Sequence, residues 1–122
     1  MSQPVTDPAA RPAPSTRTLA LAAMRCRPNA PRLAADELAG HVATLSGWEA
    51  GADGLARTFT FPDFATTIGF VNAVAWIAGQ EDHHPDLAVS YGRCRVAWST
   101  HSAGGITLND AICAAKVERL LA

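Results

Sequence analysis

The sequence has few cysteines, no long apolar run and no excess of either charge. Its three cysteines include no C-x-x-C pair, so we expect neither a disulfide framework nor a thiolate zinc site. No apolar stretch approaches the roughly 20 residues that cross a bilayer, which excludes a transmembrane helix. A formal net charge of −1 gives no overall field that favours nucleic acid or an anionic membrane. These absences favour a reduced, cytoplasmic protein, and 122 residues fit one domain.

Proline is concentrated near the N-terminus, where six of the eight prolines lie within the first 31 residues. They are mixed with Ala, Ser, Thr and Arg, a composition that buries too little apolar surface to offset the entropy of ordering. We therefore predict that residues 1–30 form a disordered arm and that residues 31–122 form the folded domain. Five arginines against one acid in the first 32 residues leave an organellar transit peptide as an alternative.

Hydrophobic periodicity predicts the element order α-β-β-α-β-β-α from residue 31 onward. A first helix ends near Gly47, and a hairpin turns at Asp53-Gly54. A central helix follows Asp63 and is apolar on nearly all sides, so we expect it to be the most buried helix. A second hairpin turns at Gly92, and a last helix begins at Thr107.

Two hairpins around a central helix predict an α+β fold with a single domain. Its four-stranded antiparallel sheet should have the helices packed on one face. The strand over residues 93–100 carries Trp98 and few charges, so we expect it to be an edge strand that pairs with a second copy. The sequence thus predicts a homo-oligomer.

Three of the four histidines, His83, His84 and His101, lie within nineteen residues. Histidine exchanges protons near neutral pH and also binds metals, so the cluster indicates one of these two chemistries. Glu81 and Asp82 could complete a metal site with His101. However, adjacent side chains diverge in extended backbone, and the usual spacing of two histidines four residues apart is absent. We therefore expect no metal.

Nucleophilic catalysis is also disfavoured. Ser99 and Ser102 flank His101, but no serine lies in a G-x-S-x-G turn. The cysteines at positions 94 and 113 lack an electropositive setting and fall on apolar faces, where a thiol acts as a small hydrophobic group.

General acid–base catalysis is the remaining chemistry. Pro85 disfavours the helical conformation at His84, which gives a stiff corner between a helix and a strand. Pairing through the Gly92 turn places residues before Leu87 opposite residues near His101, so both histidine sites meet at one end of the sheet. The alternative is that each histidine caps a helix or satisfies a carbonyl, and for the lone His41 on the first helix we adopt that interpretation.

The spacing of these residues resembles the pterin-4a-carbinolamine dehydratases, also known as dimerisation cofactors of a homeodomain transcription factor. The matching pattern is H-H-P at positions 83–85, five residues, Tyr91, nine residues, His101, eight residues and Asp110. The Ser99-Thr100-His101 triplet and the Gly47-Trp48 pair also resemble the family. The resemblance covers residues 33–121.

This resemblance implies a dehydratase that removes water from 4a-hydroxytetrahydrobiopterin and gives the quinonoid dihydropterin, in the recycling of tetrahydropterin spent by aromatic amino-acid hydroxylases. It implies no cofactor. His83 and His101 would transfer protons, while His84 would bind and orient the pterin as the third catalytic histidine. Pro85 would shape the pocket and Thr100 would line it.

The resemblance also implies supporting residues and partners. Asp82 precedes the histidine pair, Tyr91 would contribute packing, and Asp110 would support the helix cap. Many members carry a charged residue four positions before the first histidine, where this chain has Gly79. The expected assembly is a homodimer or homotetramer without membrane or direct nucleic-acid binding, and animal members also stabilise a partner's dimer, which makes a purely binding role the alternative.

Overall fold

The computed structural model describes residues 13–122, and it has four α-helices and four strands there. In chain order the elements are α1 (Thr16–Ala22), α2 (Ala35–Thr44), β1 (Glu49–Gly51), β2 (Gly54–Thr60), α3 (Phe64–Glu81), β3 (Asp86–Ser90), β4 (Arg93–Trp98), a 3₁₀ turn (His101–Ala103) and α4 (Leu108–Leu120). From α2 onward this is the predicted order, and α1 is an addition to it.

The sheet is antiparallel throughout, with the strand order β1-β2-β4-β3. The prediction that β4 is an edge strand is wrong, because β4 pairs with β2 on one side and with β3 on the other. The edges are instead β1, which is only three residues long, and β3. A strand as short as β1 offers few unpaired backbone groups to another chain.

One face of the sheet is apolar and carries helices, as predicted. Leu55 and Phe59 of β2 lie beside Trp98 and Cys94 of β4, and all four side chains are fully buried. Helix α4 packs on β2 and β4, and α3 also packs on β4. The opposite face carries short or polar side chains such as the exposed Thr58.

The most buried helix is α4 rather than α3, so that prediction is wrong. Helix α4 contacts α1, α3 and both central strands, and its residues from Asn109 to Ala115 are all buried. Helix α3 buries Phe70, Val74 and Ile77 but leaves Phe64 50% and Trp76 66% exposed. When a helix is apolar on all sides, its sequence does not show which side the rest of the protein will bury.

The predicted disorder of residues 1–30 is wrong for the part that the structure describes, while residues 1–12 lie outside the described residues. Helix α1 begins with a cap, in which the Ser15 Oγ accepts the Thr18 N–H at 3.0 Å. Leu21 and Ala22 are buried where α1 packs against α4. The prolines at positions 14 and 28 flank a run of good helix formers, and this local run outweighs the average composition of the arm.

None of the helices within residues 13–122 is long and apolar enough to cross a membrane.

Candidate active site

The position of the adjacent histidines is set by the way in which α3 ends. Asp82 adopts a left-handed conformation (φ 50°, ψ 43°), and the His83 N–H bonds back to the Ala78 carbonyl at 3.2 Å. This arrangement terminates helices, and Pro85 prevents the helix from resuming. His83 is therefore held at a fixed position just beyond the last turn of α3.

The His83 ring is fixed from two directions. Its Nε2 lies 2.5 Å from Oδ1 of Asp110, and its face stacks on the Trp98 indole with the centroids 5.7 Å apart. The histidine side chain is 14% exposed and the carboxylate is fully buried. The carboxylate orients the ring and compensates positive charge that develops when the ring takes a proton. Nδ1 is then the nitrogen that can exchange a proton with a bound molecule.

Asp110 is itself held by the beginning of α4. Its Oδ2 accepts the Thr107 N–H and the Thr100 hydroxyl, both at 2.8 Å, and these two threonine hydroxyls lie 2.9 Å apart. The predicted helix-capping contact of Asp110 is therefore present. The contact with His83 was not predicted, because it depends on how α3 packs against α4.

The histidine pair and His101 lie at the same end of the sheet. Asp86 pairs with Ala97, so the chain before β3 runs beside the chain that follows β4. His101 begins the 3₁₀ turn, and both it and His84 are exposed. Within residues 13–122 no group of three or more His, Cys, Asp or Glu side chains is placed to hold a metal ion.

A cleft of about 380 Å³ opens beside His83. Asp82 and Thr100 line it, as do Ser102 and Asn109. His101 lines a neighbouring depression of about 310 Å³ instead, and Thr100 contributes to both. The structure thus places His83 and His101 on two sides of Thr100. Pro85 is half-buried directly before β3.

Tyr91 lies away from this cleft, contrary to its place in the motif. It follows the last residue of β3, whereas the histidines precede the first. Its ring is 68% exposed and stacks on Phe64 with the centroids 6.4 Å apart. Five strand residues span roughly 16 Å, so Tyr91 lies too far from the cleft to contribute to it and instead packs the turn between β3 and β4 against the start of α3.

One part of the cleft lining was not predicted from the sequence. It is formed by residues 26–30, which follow α1. The signal that could have indicated it is the Pro28-Asn29 pair, which favours a turn directly after a run of helix formers.

Glu81 attaches this part of the lining to the end of α3. Its Oε1 accepts the Cys26 N–H at 2.8 Å, and its Oε2 pairs with Arg25 at 2.9 Å and lies 3.6 Å from the Lys116 Nζ. Burial alone would raise the pKa of Glu81, but the Cys26 N–H and the charges of Lys116 and Arg25 outweigh it and hold the pKa below its usual value. The ionised carboxylate is therefore the form that the fold stabilises.

Replacing Glu81 with Gln should destabilise the fold in a pH-dependent way. Because the folded-state pKa is lowered, the contribution is present above the pKa of an unfolded glutamate and is lost as the pH falls through the folded value. We expect the free energy of unfolding to drop by about 1–3 kcal/mol at neutral pH, and by much less near pH 3. Urea titrations followed by circular dichroism measure both values. The exposed Glu49→Gln is the matched control, and an equal loss at both pH values would contradict the assignment.

Comparison with known proteins decides the family. Residues 31–120 match the family model described as pterin 4 alpha carbinolamine dehydratase. The chain belongs to this family. The dehydratase family match thus begins just after the N-terminal wall of the cleft.

Individual dehydratase relatives agree with this assignment. A Nitrosomonas eutropha protein that is provisionally named a pterin-4-alpha-carbinolamine dehydratase is 46% identical over 105 residues, which cover 83% of this chain and 93% of that protein. A Xanthomonas oryzae protein with the same provisional name is 53% identical over 91 residues, covering 73% of this chain and 77% of its own.

A solved structure confirms the dehydratase fold. The crystal structure described as a transcriptional coactivator/pterin dehydratase from Brucella melitensis aligns with a TM-score of 0.71 at 34% identity. The alignment covers 75% of this chain and 99% of that one. The predicted α+β fold is therefore confirmed.

Proposed function

We propose that the protein removes water from 4a-hydroxytetrahydrobiopterin or a related pterin-4a-carbinolamine by histidine acid–base catalysis, in the recycling of tetrahydropterin. The observation that carries the proposal is the contact between His83 and the buried Asp110, at the edge of a cleft within a chain of this family. An imidazole oriented by a buried carboxylate is an arrangement suited to proton transfer.

The reaction needs one acid and one base. The C4a–O bond breaks as the departing hydroxyl takes a proton and leaves as water. The proton on N5 is removed, and its electron pair forms the new double bond of the quinonoid dihydropterin. No electron leaves the pterin, so the chemistry requires no redox cofactor. His83 and His101, on the two sides of Thr100, are the proton-transfer residues of this proposal.

The other residues at this end of the sheet bind and orient. His84 is exposed next to His83 and would orient the pterin, and Pro85 keeps that corner extended. Thr100 lines the space on both sides and, through Asp110, is connected to the His83 ring. Asp82 lines the cleft beside His83 and ends α3.

We also propose a cytoplasmic homodimer or homotetramer. Edge strand β3 offers backbone groups for pairing, and the exposed aromatic side chains of α3 offer an apolar surface. The same surface supports a second role, in which the protein binds and stabilises a partner's dimer. Light scattering of the wild-type protein and of Trp76→Gln tests whether α3 contributes to assembly.

The direct test is stopped-flow dehydration of a 4a-hydroxytetrahydropterin without added metal or cofactor. The proposal expects a rate that increases in proportion to protein concentration above the spontaneous reaction. A protein with only the binding role would leave the spontaneous rate unchanged.

Gly79 allows a test of the charged residue that many family members carry at this position. It is exposed in α3, and a Cβ placed there meets no atom within 4 Å. Both Gly79→Ala and Gly79→Glu should raise the free energy of unfolding by about 0.5–1 kcal/mol, because glycine is a poor helix former. Only Gly79→Glu should also shift the pH dependence of kcat, since it alone adds a carboxylate. Identical pH profiles for the two variants would show that this carboxylate has no influence.

A further inference from the structure

The cleft beside His83 is completed by residues that precede the family match. We define residues 25–30 as the wall segment. Its residues 26–30 line the same cleft as His83 and Thr100, whereas the family model matches from residue 31. A substrate held at His83 would therefore contact residues that precede those matched by the family model.

The wall segment is held in place by specific hydrogen bonds. The buried Asn109, next to Asp110 on α4, accepts the Arg27 N–H with its Oδ1 at 3.0 Å and donates its Nδ2 to the Arg27 carbonyl at 2.7 Å. The Arg25 guanidinium bonds the Gln80 carbonyl at 3.0 Å, and Glu81 accepts the Cys26 N–H. The segment is thereby attached to α4, which carries Asp110, and to the end of α3, two residues before His83.

The segment then turns sharply, and Arg27 lines the cleft just before the turn. Pro28 restricts the backbone, and Asn29 has a positive φ of 61°. Arg27 lines the cleft and is exposed, so its charge is accessible to a bound molecule. A guanidinium is a fixed array of donors without an acceptor. The pterin ring carries a carbonyl oxygen at C4, adjacent to the reacting C4a, that can accept such a donor.

We propose that the wall segment is part of the substrate site and that Arg27 donates hydrogen bonds to the pterin, with Asn109 as the residue that positions it. This inference rests on the proposed function and adds a determinant of substrate affinity to it. The role of Arg27 is binding, so its loss should raise the dissociation constant and KM and should change kcat little.

The test is calorimetric titration with 7,8-dihydrobiopterin, a pterin that lacks the 4a-hydroxyl and does not react. Arg27→Ala and Asn109→Ala should each weaken binding roughly 10-fold, as the loss of a charge-assisted hydrogen bond does. The double variant should bind no more weakly than either single variant, because Arg27 contributes nothing once its segment is released. Arg119→Ala, at the exposed end of α4, is the matched control and should bind like the wild type. Far-UV circular dichroism and the melting temperature establish that Asn109→Ala is folded.

Three outcomes would count against the proposal. If Arg27→Ala binds dihydrobiopterin as the wild type does while the wild type dehydrates its substrate, the wall segment is not part of the site and the proposed function stands. If the wild type neither binds pterin nor accelerates dehydration, the proposed function fails and this inference fails with it. Additive losses in the double variant would refute the positioning role of Asn109.

A separate observation concerns the cysteine in the same segment. The Sγ atoms of Cys26 and Cys113 lie 3.6 Å apart, with Cys26 half-buried and Cys113 buried in α4. A disulfide needs a separation of about 2.05 Å, and Cys26 lies outside the helices, where the chain can move closer. We infer that this pair forms a disulfide on exposure to a peroxide, and that the bond ties the wall segment covalently to α4.

The oxidation proceeds in two balanced steps. Hydrogen peroxide oxidises the Cys26 thiol to a sulfenic acid and releases one water. The Cys113 sulfur then attacks the Cys26 sulfur, the S–O bond breaks, and the hydroxyl leaves with the Cys113 proton as a second water. The hydrogen bond with Cys26 and burial raise the pKa of the Cys113 thiol. The half-buried Cys26 is therefore the sulfur that the peroxide oxidises first.

Mass spectrometry of the peroxide-treated protein tests this pair. We expect the intact mass to fall by about 2 Da and a peptide that joins Cys26 to Cys113 to appear without reductant. Cys26→Ser should abolish both signals, whereas Cys94→Ser, at a fully buried thiol in β4, should retain them. A mass gain of oxygen atoms on Cys26, with Cys113 still reduced, would refute the inference.

Discussion

Replacing Asp110 with Asn is expected to lower kcat roughly 10²- to 10⁴-fold while KM changes little. The amide nearly matches the carboxylate in shape, but it carries no charge to compensate a protonated His83. It also presents donors as well as an acceptor, so it no longer favours a single tautomer of the ring. Loss of the charge-assisted hydrogen bonds to this buried carboxylate should in addition lower the free energy of unfolding by about 1–3 kcal/mol.

Two further variants separate catalysis from folding at this position. Thr100→Val removes one donor to the carboxylate and keeps the charge, so we expect a smaller loss of kcat, about 10-fold. Asp36→Asn, in the first turn of α2, changes an exposed carboxylate at another helix start and should leave kcat unaltered. Stopped-flow dehydration gives kcat and KM, and urea titration gives the stability. A folded Asp110→Asn protein with kcat within about threefold of the wild type would exclude the His83–Asp110 contact from the mechanism.

Replacing His83 or His101 with Ala is expected to lower the dehydration rate roughly 10²-fold or more, since each residue is assigned an acid or base role. His84→Ala should mainly raise KM, because His84 is assigned to binding. The two limbs of the pH–rate profile should separate the roles: the His83 variant should lose one limb and the His101 variant the other. His41→Ala, on α2, is the matched histidine control.

The outcome for this pair of variants decides the mechanism. If His83→Ala and His101→Ala both dehydrate the substrate at the wild-type rate, acid–base catalysis by these histidines is wrong. If only His101→Ala retains the rate, the reaction takes place within the His83 cleft alone, and the neighbouring depression has no catalytic part.

The hairpin pattern was sufficient to predict that the histidines lie at the same end of the sheet. Residues on either side of a tight turn pair in a register that the turn sets, so the Gly92 turn places the chain before Leu87 beside the chain near His101. The strand order was not predictable in this way. Two hairpins can join through any of their strands, and the choice of β2 with β4 depends on how α3 crosses the sheet.

Asp110 shows the limit of local patterns most clearly. Its capping role can be predicted from the spacing of Thr107 and Asp110, because a capping box is a contact within one helical turn. Its contact with His83 joins residues 27 positions apart and exists only after α3 and α4 have packed. The ordered part of the arm was missed for a related reason: the apolar side of α1 gains from burial only when α4 is present to cover it.

The burial of α4 has a consequence for which parts of the site open locally to solvent. Backbone amides in the most enclosed helix should exchange with solvent deuterium only through global opening, while those of exposed turns exchange through small local fluctuations. Asp110 belongs to the first group, and His84 and His101 belong to the second. We therefore expect the start of α4 around Asp110 to stay folded while the exposed segments around His84 and His101 move enough to let a substrate bind and a product leave.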